Sequence, residues 1–430
     1  MRWYKMLSTL RNAWKVPELR KKLLWTVFLI LIFRAGAHIP ASGFDTEYLK
    51  QITSSGLLGF YDLISGGAFS RFSILALGVT PYINASIIMQ LLTIAIPALE
   101  QMQKEGQEGR NKIQNATRYL AIVLSVVLAI GVVATLKNSG VSIDLSKFEY
   151  CVVILSLVVG STFCIWLGDQ ITVRGFGNGT SILIFVNIVS RFPSQVASLY
   201  QLKQADTLSI VQLALFIAGV AILLISAIFF SLAERKIPVQ YAGKAMGKNV
   251  VKGQSTHIPL SIVSAAVIAI IFAMSVMGFP QAVAQFFPNV GWLQSLVTGK
   301  YSPFNTSTWM YPTLYAILTL FFTWFYNEIT LKPDEMAENL NKSAGFVLGV
   351  RPGEATVEYF EKIILKISMV GGVYAALLAI IPVLIEMFSP ALKGVSFGAT
   401  SILILIGVAL DFTRRMESQM VMRHYEGFLK

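Results

Sequence analysis

Apolar runs of membrane-spanning length recur ten times along the chain, and nothing else in the sequence constrains its fold as tightly. They lie near residues 23–40, 75–97, 119–136, 151–168, 180–192, 208–232, 258–279, 309–327, 367–386 and 397–410. A helix needs about 20 predominantly apolar residues to cross the hydrocarbon core of a bilayer. Inside that core each backbone N–H and C=O must be paired internally, which leaves the helix as the structure for such a run. The predicted fold is therefore an all-α polytopic membrane protein with ten transmembrane helices. With 13% charged and 55% hydrophobic residues, the chain is far from soluble domains, where about a quarter of residues are charged. Basic residues followed by the apolar run Leu23–Phe33 resemble a signal peptide, but the many runs that follow favour an uncleaved first span.

The placement of Lys and Arg tests this count. With the amino terminus in the cytosol, 26 of the 35 basic residues fall in segments assigned to the cytosolic side and 9 in segments assigned outside. Cytoplasmic loops carry such an excess, and a wrong number of spans would scramble the alternation. Both termini are then cytosolic, and the net charge of +12 needs no nucleic-acid partner. Ten spans divide into residues 1–204 and 205–430, five in each part. Repeats with an odd number of spans must be inverted relative to one another, a layout common in transporters.

One apolar stretch has the wrong length. Gly56–Leu99 covers 44 residues, too long for one crossing and too short for two with a turn. The charge alternation allows it one crossing, so the surplus, roughly Leu57–Phe72, is predicted to re-enter the membrane or lie at its outer interface. Irregular backbone at membrane depth is tolerated where protein buries it or where it lines a water-filled cavity. A cavity open to the outside follows.

The spans are poor in chemistry. Asp169, Glu328, Glu386 and Asp411 sit at or near span ends, whereas ion-coupled transporters need ionisable groups within the membrane. Asn84, Ser86, Gln90, Asn187 and Ser275 are polar but uncharged, suited to hydrogen bonds between helices or to weakly polar seams of a conduit. The glycine-rich Gly175–Gly179 precedes a span rather than following a soluble strand, so it is not read as a phosphate loop. Cys151 and Cys164 share one apolar run, and His38, His257 and His424 are scattered, which suggests neither a disulfide framework nor a metal site. No cofactor and no catalytic group is expected, and a membrane-embedded enzyme is the weakest reading. A passive channel is favoured over a secondary transporter of a small solute. Two cytosolic loops, 233–257 and 328–366, exceed what a connector needs, and Arg351 is held at a tip by Gly349-Val350 and Pro352-Gly353. A rigidly presented guanidinium offers five donors, and these loops are read as docking sites for a soluble partner.

Taken together, several motifs resemble the SecY family of protein-conducting channels in its bacterial form, over essentially the whole chain. They include Val16-Pro17-Glu18-Leu19-Arg20-Lys21-Lys22, the run from Ala76 through Gly78-Val79-Thr80-Pro81-Tyr82-Ile83-Asn84 to Ile88, and Lys104-Glu105-Gly106 through Gly109-Arg110. Gly168–Ser181, Glu234–Tyr241, Ser255-Thr256-His257-Ile258-Pro259-Leu260 and Lys332–Gly353 match as well. The resemblance implies a clamshell of two inverted five-helix halves around a central pore. It assigns Phe60-Tyr61-Asp62-Leu63-Ile64-Ser65-Gly66-Gly67-Ala68-Phe69-Ser70-Arg71-Phe72 as a re-entrant plug, a half-helix filling the external funnel. It assigns an apolar pore ring to Val79, Ile83, Ile184, Ile271 and Ile404, with valine at 79 where isoleucine is frequent. A lateral gate between spans 2–3 and 7–8 would carry Gln90 and Ser275.

Further implications concern partners. Arg235, Lys236, Lys244, Lys248 and Arg351 would meet a SecA-type motor ATPase or a ribosome. SecE- and SecG-type small subunits, signal peptides, nascent chains and membrane lipids complete the set, and a homodimer stays open as the working unit. The implied location is the cytoplasmic membrane. The sequence departs from the family pattern at Asp169 and Val173, where glutamate is usual, and at Phe176, where isoleucine is usual.

Overall fold

The computed structural model describes residues 14, 16–41, 62, 65–138, 146–204, 209–241, 245–246, 249–250, 255–263, 266–286, 290–305, 308–388 and 399–428. Thirteen helices and five strands follow one another among these residues. In chain order they are α1 (Pro17–Gly36), α2 (Thr80–Ala95), α3 (Pro97–Lys104), α4 (Gln107–Asn138), α5 (Lys147–Arg174), α6 (Gly179–Gln204) and α7 (Ile210–Leu232). Then come β1 (Glu234–Tyr241), β2 (Ala245–Met246), β3 (Asn249–Val250), β4 (Ser255–Ser261), α8 (Ala266–Phe286), α9 (Gly291–Thr298), α10 (Met310–Leu331), α11 (Pro333–Lys342), β5 (Gly345–Val347), α12 (Glu354–Phe388) and α13 (Ala399–Phe428).

Each of the ten apolar runs coincides largely with a helix: α1, α2, α4, α5, α6, α7, α8, α10, α12 and α13. By length and apolarity alone six of them, α4, α5, α6, α7, α10 (continued by α11) and α12, are long enough to cross a membrane, and α2 with α3 makes a seventh if the bent pair is one span. Their boundaries have local causes. Pro17 stands in the first turn of α1, where its missing N–H costs nothing, with Arg34 in the last turn. Capping boxes start α5, from Ser146 and Glu149, and α7, from Ser209 and Gln212. Each satisfies two helix-end donors reciprocally. Pro97 ends α2 early, because the residue before a proline is driven out of the helical region. Ile96 is accordingly extended, at φ −111° and ψ 110°, and α3 leaves at 100° to α2.

Outer faces are apolar, the reverse of a soluble protein. Only 6% of the apolar window of α7 is buried, and Ile210, Leu215, Ile222, Ile225 and Phe229 all point outward. An exposed apolar surface of that extent marks a membrane-facing protein. Within the bundle, α4 packs on α2 and α5, and α5 on α1 and α6, while α10 packs on α8 and α12, and α7 on α13. Contacts of α13 with α6 and of α8 with α4 join residues 1–204 to 205–430.

One part of the fold is not helical. The loop expected at 233–257 forms an antiparallel sheet with the order β4-β1-β5, in which Ile237 faces Ile258 and Val239 faces both Thr256 and Val347. As a result the seventh run does not begin as helix at 258; β4 continues to Ser261 and α8 starts at Ala266. Pro238 is tolerated in the middle strand because β5 pairs only with residues 239–241, so one side of β1 is free at that position, as prolines in sheets require. Ile237, Val239, Leu260 and Val347 bury against Ala337 and Leu340 of α11 and Phe360 of α12. An ion pair of Glu234 with Arg414 (2.8 Å) ties the sheet to α13.

Candidate functional site

The five residues of the expected ring come from four helices and meet in one place. Val79, at the amino-terminal cap of α2, Ile184 of α6 and Ile404 of α13 are buried in a single hydrophobic cluster, and Ile83 and Ile271 of α8 pack against it. Leu29, Phe33, Leu183 and Ile188 back them. Both parts of the chain contribute, so the cluster lies where the two sets of helices meet. Branched apolar side chains offer an ion no donor or acceptor.

The segment that precedes α2 is buried rather than laid on the surface. Asp62 and Ser65 are helical and residues 66–79 run almost entirely as successive turns, so the expected half-helix does not continue to Phe72. Phe60, Tyr61, Leu63 and Ile64 lie outside the described residues. Ser65 Oγ donates to the carbonyl of Asp62 (3.1 Å) and accepts from the N–H of Phe69 (3.1 Å). The N–H of Gly67 returns to the Asp62 carbonyl at 2.9 Å. A β-bridge between Pro40 and Ser73 fastens the segment to the chain leaving α1. Phe69, Phe72, Ala76 and Leu77 fill a cluster with Ala129 and Val133 of α4 and Val153 and Leu157 of α5. Ser70 is half-buried and Arg71 exposed.

Along the seam between α2 and α8, Ile87 and Leu91 pack against the hydrophobic cluster of α8, α10 and α12. Ser275 Oγ donates to the carbonyl of Ile271 (2.9 Å) and lies 3.5 Å from Asn84 Oδ1. Gln90 is exposed. The polar contact across the seam is thus Asn84–Ser275, not one involving Gln90. Helical spacing explains why: at 3.6 residues per turn, positions six apart are about 240° apart around the axis, whereas Asn84, Ile87 and Leu91 share a face.

At the end of the bundle that carries the sheet, Arg235, Lys236 and Arg351 are exposed. Lys244 and Lys248 lie outside the described residues. Gly349 (φ +81°) and Gly353 (φ +106°) bracket the Arg351 tip in the left-handed region, which glycine enters without penalty. Thr356 Oγ1 donates to the Arg351 carbonyl at 2.8 Å. Phe346 and Leu348 are exposed beside the tip, an apolar complement to the cations that charge counting did not reveal.

The three departures each have a place. Asp169 pairs with Arg118 of α4 at 2.9 Å, and Val173 is exposed. Phe176 is buried with Leu19 of α1 and Met416 of α13, stacking edge-on against Phe412 with 4.9 Å between centroids.

A bundle of long helices with apolar outer faces and a cluster of uncharged, branched side chains between its two parts defines a multi-pass membrane protein. The SecY family profile matches residues 73–413. The protein translocase subunit SecY of Halalkalibacterium halodurans is 38% identical, covering 99% of this chain and all of the relative. That of Thermotoga maritima is 37% identical, covering 99% of this chain and 98% of the relative. Two solved structures share the fold. One, described as a protein conducting channel, superposes with a TM-score of 0.64 at 19% identity, over 94% of this chain and 92% of the other. The other, Sec61 in the canine ribosome-channel complex from the endoplasmic reticulum, does so with a TM-score of 0.63 at 19% identity, over 94% and 93%. The chain belongs to the SecY family.

Proposed function

We propose that the chain is a protein-conducting channel that passes unfolded secretory polypeptides across the cytoplasmic membrane and releases apolar segments sideways into the bilayer. The observation that carries this reading is the convergence of Val79, Ile83, Ile184, Ile271 and Ile404 on one cluster between the two parts of the chain. A passing chain enters there by parting side chains of different helices, and when empty the cluster closes to water and ions. Residues 60–72 act as the plug, next to the ring in sequence, with Phe69 and Phe72 packed on α4 and α5. The seam of α2 against α8, closed by Asn84 and Ser275, opens as the lateral gate. Through it a sufficiently apolar segment gains free energy by entering lipid.

The channel spans the membrane ten times, in two inverted halves with both termini cytosolic, and the sheet with the Arg351 tip faces the cytosol. Cations Arg235, Lys236 and Arg351 with apolar Phe346 and Leu348 dock an external motor ATPase of the SecA type or a ribosome, which supplies the driving force. Ribosome binding is supported by the likeness of fold to Sec61 in a ribosome-channel complex. SecE- and SecG-type subunits cover part of the apolar exterior.

The test is cysteine cross-linking of a stalled secretory chain. With single cysteines at 83, 184 and 404 and one cysteine in the stalled polypeptide, adducts are expected at all three positions and not at lipid-facing 222. Adducts absent from all three, with the polypeptide nonetheless translocated, would rule out passage between the halves.

A further inference from the structure

Among the described residues Asp62 is the one charged residue buried from solvent, and its carboxylate makes two connections. Oδ1 accepts the backbone N–H of Ser70 at 2.7 Å and ties Ser70 back to Asp62. Oδ2 pairs with Nη2 of Arg191 on α6 at 2.5 Å. The seat on α6 continues one turn earlier at Asn187. A Cβ on Gly66 would lie 2.7 Å from Asn187 Oδ1 and 2.8 Å from Arg34 Nη1, and Gly66 is held at φ +69°. Arg34 itself donates to Asn187 Oδ1 at 3.3 Å. On this side, then, the segment meets the wall through one carboxylate, two guanidiniums and an amide, while on the other side Phe69 and Phe72 meet α4 and α5.

The two sides release differently. Separating apolar surfaces exposes both to water and is opposed throughout. When an ion pair parts, regained hydration offsets much of the lost attraction, and the large cost falls on a charge left buried alone. Arg191 is poised for that exchange, its side chain 26% exposed against 1% for Asp62. Position on α6 links the latch to the ring as well. Ile184 and Arg191 are seven residues apart, two turns along one face of the helix, so a movement of α6 that withdraws Ile184 also displaces Arg191.

We propose that Asp62 and Arg191 form an ionic latch that holds Asp62 and residues 65–72 against α6, and that its breaking sets how often the resting pore opens. This rests on the channel reading above. The full-length chain, purified with the membrane subunits it retains, is placed in planar bilayers, and resting conductance is measured per inserted channel. Asp62→Asn keeps an acceptor for Ser70 and removes only the charge; Arg191→Gln removes the partner. Each is expected to raise the resting open fraction by about tenfold or more. Because the pair acts as a unit, the double variant should leak no more than the leakier single one, the signature of coupled residues. Resting conductance unchanged in both single variants, or effects that multiply in the double variant, would overturn the latch. Deleting residues 66–72 separates the two claims. If the deletion leaks and Asp62→Asn does not, the latch alone fails; if the deletion also stays sealed, the channel reading fails. Misfolding lowers the amount of inserted protein, not the conductance of each channel, so it cannot imitate the expected result.

Discussion

Ile404 is 3% exposed and shares its cluster with Val79, Ile184 and Leu183 from the other part of the chain. An amide placed there by Ile404→Asn finds no polar partner in that cluster when the pore is closed, and an unsatisfied buried polar group costs about 1–3 kcal/mol. That shifts a closed-to-open equilibrium by a factor of about 5 to 150. Export of a reporter with a defective signal sequence should rise accordingly, measured as the fraction of mature protein outside the cell. Unaltered export would remove Ile404 from the proposed constriction. At this scale the sequence was hard to read, since an isoleucine lining a pore and one facing lipid are the same side chain, and only likeness to a family singled these five out. Asn84 was easier to find than it proved. Counting residues around α2 places it with Ile87 and Leu91, and Gln90 elsewhere, yet polarity alone drew attention to both.

Among the elements, α5 and the segment before α2 meet in one of the closest backbone contacts. A Cβ on Gly160 would come within 2.0 Å of the Ile74 carbonyl oxygen, which is backbone and cannot swing aside. Ser161 Oγ, next in sequence, donates to the carbonyl of Gly78 at 3.1 Å. Gly160→Ala must therefore push α5 from residues 74–78, and overpacking of this kind costs about 1–3 kcal/mol. A lowered unfolding midpoint in detergent is expected, and a midpoint equal to that of the parent would mean that the close approach is not needed. Helix boundaries have local causes at Pro97 and at the Ser146 and Ser209 caps, while the apolar runs located these helices only approximately. The sheet was not legible in the sequence: Ile237, Val239 and Tyr241 are separated by Pro238 and Gln240, and the segment reads as a cytosolic loop. Its partner strand β5 is three residues long, too short for any periodicity to show.

For the whole molecule, the proposed function depends on a force from outside, and the proposed docking surface for its source is the end where Arg351 stands. The tip is held by its glycines and by Thr356, so reversing its charge changes the surface and not the fold. Arg351→Glu should lower ATP-driven transport into membrane vesicles by about tenfold or more, since disrupting an interfacial charge pair commonly costs 2–5 kcal/mol. The inserted amount and the unfolding midpoint should match the parent. Normal transport by this variant would take Arg351 out of the proposed docking surface.

By itself the sequence determined the class of fold, the approximate positions of its ten longest apolar helices and the poverty of its spans in ionisable groups. Those properties depend on residues that are neighbours along the chain, whose length, apolarity and capping act within a few turns. The tertiary structure alone decided that Asp62 meets Arg191, that Asn84 rather than Gln90 meets Ser275, and that four helices from both parts of the chain close on one apolar cluster. Such contacts join segments far apart in sequence, and they arise from how finished helices pack, which no local pattern of residues encodes. The stretch that is too long for one crossing belongs to both accounts. Its surplus was evident from its length, but what holds that surplus in place became visible only with the helices assembled around it.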